Sequence, residues 1–252
     1  MHPRSAAWIL CGAVILGSCH SPPATNGKLT VAAAANLMDV LGEVGQAFKA
    51  KTGVEVILSY GSTAQLSTQI ENGAPFDVFA AADTEHVDSL VAAGKVIGDS
   101  RAIYALGQLA LWIPEGGSSG VHELKDLAGP QIRYIAMAQP ELAPYGRATV
   151  EVLNHAGLWN AVQPKLVYGT SISMAKQFAA SGSANAAFTA YSLVLNDKGT
   201  ILKIDSHLYK PIEQAMGVVA ASAHVDEARQ FRSFLLGPEG RTILANSGYL
   251  LP

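Results

Sequence analysis

The sequence predicts an α/β chain of two lobes with a ligand cleft between them. Three observations predict it. Three strand-then-helix units follow one another from about residue 29, a long apolar, β-rich stretch at 102–114 interrupts them, and a second α/β series runs on from there.

LTVAAAA (29–35) is the near-continuous apolar run of a strand covered on both faces. Leu37, Val40, Leu41, Val44 and Phe48 then recur at three- and four-residue spacing, which predicts a helix over 37–50 that Gly53 ends. VEVILSY (54–60) is the second strand, and Leu66 and Ile70 give the next helix its apolar side before Gly73. FDVFAAA (76–82) is the third, followed by a helix on Val87, Leu90 and Val91 that closes at Gly94. Such alternation predicts a parallel sheet with right-handed crossovers.

AIYALGQLALWIP (102–114), around Gly107, is long enough to leave one lobe and enter another. The second series reads QIRYIAM (131–137), a helix over 145–155 after Pro144, KLVYG (165–169), a helix over 171–180, AAFTA (186–190), a helix over 191–197 and TILKI (200–204). QAMGVVAA (214–221) is again a strand, and 225–236 carries Ala228, Phe231 and Leu235 on one face. Three units leave the first lobe incomplete, so the last strand and helices are expected to return to it. Lobe 1 is then 29–107 with 212–252, and lobe 2 is 108–211. The expected site is the cleft, at the carboxyl ends of strands where helices begin.

Residues 1–18 carry Arg4 and an apolar core from Ala6 to Leu16, the pattern of a secretory signal. Leu16-Gly17-Ser18-Cys19 resembles a lipobox, which predicts a lipid anchor on Cys19, conventional cleavage nearby being the alternative. SPPATNGK (21–28) ends a flexible tether over 19–28. No cysteine follows Cys19, so the exported domain has neither disulfide nor thiol metal site. The net charge of -3 becomes -4 without Arg4, which points to neither nucleic acid nor an acidic membrane surface as a partner.

Four junctions place small polar or aromatic residues at the start of a helix. They are Asn36, with Asp39 three residues on; Ser62 and Thr63; Tyr145 after Pro144; and Thr170 with Ser171. Ser62-x-x-Gln65 fits a capping box. Taken singly, each is explained by the unbonded N–H groups at helix starts. Together, in a two-lobed chain, they aim several helix N-termini at one volume that holds donors and partial positive charge but no formal cation. That volume suits a small, fully ionised oxyanion. Arg147 lies two residues beyond Tyr145, off its helical face, which reads as a rim position or a secondary role in neutralising charge.

No catalytic constellation stands beside these junctions, and the chain is not expected to be an enzyme. Ser62 lacks a Gly-x-Ser-x-Gly setting. No two of His20, His86, His122, His155, His207 and His224 sit at ligand spacing on one helix. Asp83 reads as a helix cap with His86 at its third position, and the glycine pairs lack the lysine of a phosphate loop.

LTVAAAANL, TGVEVILSYGSTAQLSTQIENGAPFDVFAAAD, PELAPYGRATVEVLNHAGLW and FLLGPEGRTILANSGYLLP together resemble the molybdate-binding proteins of ABC transporters, over essentially all of 29–252. The resemblance implies a two-lobed type II periplasmic-binding fold, no cofactor, molybdate or tungstate as the ligand, and a membrane permease as partner to a monomeric, extracytoplasmic protein. Carried over by position, Asn36 would donate through its amide and side chain where many relatives have serine. Thr63 would keep a second hydroxyl while Ser62 caps, Tyr145 would reach the anion through its hydroxyl, and Ile172 would offer its backbone N–H. Ala35, Ser62, Ser171, Arg147 and Tyr191 would be secondary. Some relatives add a later tyrosine; Ala190 best matches its position, with Tyr191 one residue out of register. Sulfate, thiosulfate or phosphate in the same fold is the alternative, phosphate requiring an acceptor for its proton. Ferric iron would need convergent tyrosines, and a lipid-anchored hydrolase would need a nucleophile and base brought together.

Overall fold

The computed structural model describes residues 27–117 and 120–252. The signal segment, Cys19 and the tether up to residue 26 lie outside the described residues. Lys28, assigned to the tether from sequence, already belongs to the first strand.

The first sheet begins with β1 (Lys28–Ala34) and β2 (Glu55–Gly61), joined through a 3₁₀ turn at Ala35–Leu37 and helix α1 (Met38–Thr52). Gly53 stops α1 in the left-handed conformation at φ 79°, with its N–H on the Lys49 carbonyl. Helix α2 (Thr63–Glu71) leads to β3 (Val78–Ala80), and α3 (Glu85–Ala92) to β4 (Ala102–Gly107). β3 is shorter than 76–82 because the Asp77 carboxylate accepts the Thr30 N–H at 2.7 Å, so a side chain takes over the ladder at that end.

The apolar stretch 102–114 is two strands in two sheets. β5 (Leu109–Pro114) starts one residue after β4 ends, and Gln108 is the crossing point. β6 (Ile135–Ala138), α4 (Pro144–His155), α5 (Trp159–Val162), β7 (Leu166–Gly169), α6 (Ile172–Ala180), β8 (Ala186–Ala190), α7 (Tyr191–Val194) and β9 (Gly199–Lys203) complete the second unit. β6 begins at Ile135 rather than 131 because the Asn185 side-chain carbonyl takes the N–H groups of Arg133 and Tyr134, at 2.8 and 2.9 Å. The helix expected over 191–197 contracts to a single turn, and α5 was not delimited from sequence.

The chain then crosses back into β10 (Ile212–Val218), α8 (Val225–Leu236) and α9 (Pro238–Asn246). α8 and α9 pack on α1, with Phe48 edge-on to Phe231 and Phe234 at centroid distances of 5.3 and 5.6 Å. The tail is tied to the first crossing by Leu106–Leu250 backbone bonds of 2.8 and 3.0 Å and by Gln108 Nε2 on the Gly248 carbonyl.

The strand orders are β2-β1-β3-β10-β4 and β7-β6-β8-β5-β9. In each sheet the first three strands are parallel, as expected, but the fourth runs antiparallel to both of its neighbours. The reason is connectivity. β10 and β5 arrive from the opposite sheet rather than through a helix laid over their own, so nothing constrains them to the parallel sense.

Candidate functional site

The helices after β1, β2, β6 and β7 start around one small cavity. Its walls are Ala34–Asn36, Gly61–Thr63 and Ala82 from the first sheet, and Ala143–Tyr145 with Ile172 from the second. Only ≈ 10 Å³ is open to the centre of a water-sized sphere, about what a single water needs. A backbone bond from Ala64 N–H to the Leu142 carbonyl, 3.2 Å, ties the two walls together. Among the described residues, no charged side chain lines the cavity.

Thr63 is the first residue of α2 and is buried. Its Oγ1 accepts the Ala82 N–H at 3.1 Å, so its own proton stays available to the cavity it lines. Tyr145 follows Pro144, whose missing N–H suits the first helical position. Gly146 lets the start of α4 approach the Ala138 carbonyl so closely that a Cβ there would overlap it, and this seats Tyr145 against the end of β6. The Tyr145 hydroxyl accepts from Gln214 Nε2 at 2.9 Å. Burial pushes its ionisation well above the ordinary tyrosine range, so the group remains a donor.

Asn36 lines the cavity too, but its side chain serves another purpose. Nδ2 donates to Gln214 Oε1 at 2.9 Å and to the Tyr249 hydroxyl at 3.0 Å, while Oδ1 is buried without a partner. The amide therefore braces the cavity wall, and Ala35 and Asn36 form the first turn after β1. Ile172, first in α6, lines the opposite wall in the same way.

The remaining predicted residues divide. Ser62 lines the cavity while its Oγ caps α2 by accepting Gln65 N–H at 3.3 Å, and Ser171 caps α6 through Met174 N–H at 3.2 Å. Tyr191 does not line the cavity. Its N–H donates to the Gln108 carbonyl and its ring lies 3.9 Å from Lys203 Nζ, while Ala190 is buried in β8 beside Leu109. Arg147 lies outside, at the rim, where its guanidinium meets Asp83 at 2.7 Å. Burial alone would raise Asp83, but hydrogen bonds from His86 and Arg147 outweigh it and hold the carboxyl below its ordinary value. As expected, Asp83 accepts the His86 N–H, and it also meets Nδ1 at 2.9 Å.

Four residues around the cavity were not singled out from sequence. Tyr104, Gln214, Tyr249 and Ser192 form a buried polar network with Asn36 and Tyr145. Tyr104 bonds Gln214 Oε1 at 2.8 Å, Tyr249 donates to the Asn36 carbonyl at 2.7 Å, and Ser192 donates to the Tyr249 hydroxyl at 3.0 Å. The available signal was Gln214 itself, an amide at the head of the apolar run Ala215–Val218, which requires partners when buried.

Residues 29–250 match the bacterial extracellular solute-binding protein family. The chain is 36% identical over 229 residues to the molybdate-binding protein ModA of Rhodobacter capsulatus, covering 90% of each. Among solved structures it superposes with a TM-score of 0.83 on the periplasmic molybdate-binding protein of Azotobacter vinelandii, at 34% identity, covering 89% of this chain and 99% of that one. The sulfate-binding protein SubI of Mycobacterium tuberculosis shares the fold at a TM-score of 0.75 and 20% identity, covering 88% of this chain and 86% of that one. With sequence and superposition in agreement along nearly its whole length, the chain belongs to the bacterial extracellular solute-binding protein family, among the relatives of ModA.

Proposed function

We propose that this protein captures molybdate, and tungstate with it, and hands the anion to the membrane permease of an ABC transporter without transforming it. The observation that carries the reading is the cavity wall: two hydroxyls whose protons are free, several helix-start N–H groups, and no charged side chain. Neutral donors suit an anion that is fully ionised, because nothing there exchanges a proton with it. We assign direct contact to Thr63, Tyr145, Ile172 N–H and the Ala35–Asn36 turn, with Ser62 and Ser171 as caps.

Lobe 1, 29–107 with 212–252, and lobe 2, 108–211, open and close about the cleft. The anion bridges donors from both lobes and stabilises the closed form by its difference in affinity for the two states. The permease reads the closed surface. The protein is a monomer, anchored at the extracytoplasmic face of the membrane by lipidated Cys19. Sulfate is disfavoured by size, since each donor it fails to reach in the dry cleft costs roughly 1–3 kcal/mol.

Isothermal titration of ligand-free protein against molybdate, tungstate, sulfate, phosphate and thiosulfate tests this. Tight one-to-one binding of the first two with weak sulfate is the expected result. Tightest binding of sulfate or phosphate would overturn the substrate, and no heat with any of them would overturn the oxyanion reading.

A further inference from the structure

We infer that Gln214 is a positioning residue that turns the Tyr145 hydroxyl proton into the cavity by donating a hydrogen bond to the Tyr145 oxygen. The inference rests on the oxyanion reading and deepens it. Gln214 itself does not line the cavity.

The geometry is a chain of linked donor and acceptor choices. The Tyr249 hydroxyl has one proton, and its contact with the Asn36 carbonyl, 2.7 Å, is the shortest it makes. With that proton committed, the neighbours of the Tyr249 oxygen must donate to it, and Asn36 does so through Nδ2 at 3.0 Å. The same Nδ2 lies 2.9 Å from Gln214, so the Gln214 atom facing it is the carbonyl Oε1. The Tyr104 hydroxyl stands 2.8 Å from both that Oε1 and the Ala81 carbonyl and divides its one proton between them. Gln214 Nε2 is thereby left facing Tyr145 at 2.9 Å. An amide nitrogen only donates. The Tyr145 oxygen accepts that bond, and its proton turns to the open side, which is the cavity.

Gln214 is buried completely, on β10, and the ladder with β4 shifts register between it and Ala215. The partners it joins come from β4, the turn before α1, and α4, which follows β6 of the second sheet. Ala82 N–H does for Thr63 what Gln214 does for Tyr145, but through the backbone, where no substitution can reverse it. On the Tyr145 side the direction depends on one side chain.

The reversed arrangement, with both amides turned, gives the opposite expectation. Tyr145 would then donate to Gln214, and removing Gln214 would free its proton rather than lose it.

The test is a double-mutant cycle on the full exported domain, titrated with molybdate, with melting temperature as the check on folding. Gln214→Met removes the donor at nearly the same length. It should weaken molybdate binding by about tenfold, whereas on a Tyr145→Phe background it should add less than about twofold. Gln214→Glu, which keeps the acceptor for Asn36 and Tyr104, is the second variant should the first fail to fold, and its loss should shrink on the Tyr145→Phe background. Affinity unchanged or improved in Gln214→Met, or the same factor lost on both backgrounds, would overturn the positioning role. Failure of the unsubstituted protein to bind molybdate, tungstate or sulfate would instead overturn the oxyanion reading from which this one follows.

Discussion

Arg147 and Asp83 join across the mouth of the cleft at 2.7 Å, one from the start of α4 and the other from the loop after β3. In the proposed opening of the lobes this pair is broken. The guanidinium is more than a third exposed, so water and salt weaken the attraction. Arg147→Ala is expected to weaken ligand binding by no more than about fivefold, the equivalent of about 1 kcal/mol, and to do so chiefly through faster release. Stopped-flow dissociation compared with equilibrium titration checks it. A loss of a hundredfold would mean that the guanidinium reaches the anion itself.

His86 makes the same junction sensitive to pH. Its hydrogen bond to Asp83 raises it above the ordinary 6.5, against the effect of burial, while Asp83 is held below 3.8. The histidine contribution to stability is therefore complete below about pH 6.5 and is lost as pH rises through the higher folded value. The Asp83 contribution is present above about pH 3.8 and is lost as pH falls through its lower folded value. The melting temperature of the parent minus that of His86→Gln should be positive near about pH 5 and shrink toward about pH 9, with about 1 kcal/mol or less at stake. A difference that holds constant across that range would dispose of the linkage.

Thr63→Ala and Tyr145→Phe each remove a hydroxyl from the cavity wall. Either should weaken molybdate binding about tenfold or more, as expected for a bond to a charged partner, with the fold retained. Ser62→Ala is the contrast. Its Oγ is occupied with Gln65 N–H, so the substitution should lower stability by about 0.5–2 kcal/mol and leave affinity nearly intact. Titration paired with thermal melting separates the two kinds of residue, and unchanged affinity in both hydroxyl variants would refute their assignment.

Gly107 ends β4 directly beneath the site. A Cβ there would overlap the Tyr145 hydroxyl and Gln214 Nε2. Gly107→Ala should destabilise by about 1–3 kcal/mol and weaken binding by displacing both groups. Gly42→Ala, in α1 with nothing within 4 Å of the added carbon, should be neutral or stabilising by up to about 1 kcal/mol. Melting curves for the two decide it, and equal effects would mean that close approach at Gly107 is unimportant.

What the sequence revealed follows from how local each feature is. β1, β2 and α1 were legible because apolar runs and three-four spacing state burial residue by residue. Thr63, Tyr145 and Ile172 were legible through helix starts and family resemblance, and all three line the cavity. The antiparallel sense of β5 and β10 was not legible, because it depends on which sheet the chain has just left. Asn36 was only half legible. That its side chain would be committed to Gln214 and Tyr249, 178 and 213 residues away, is written in no local pattern. The Tyr191 position shows the limit of register arguments: its neighbour Ser192, not the tyrosine, joins the network.

The two crossings deserve to be considered as a mechanical part. β4 and β10 are neighbours in one sheet, β5 and β9 are neighbours in the other, and the two connections, β4 to β5 and β9 to β10, join these pairs in opposite chain directions. Two parallel straps fix an axis where a single strap would be a swivel. In the proposed opening and closing, motion is thereby confined to flexing about that axis, and the independent twist and slide that one linker would permit are suppressed. For the proposed anion, closure along one coordinate loses little entropy, which leaves more of its attraction to the donors to appear as affinity.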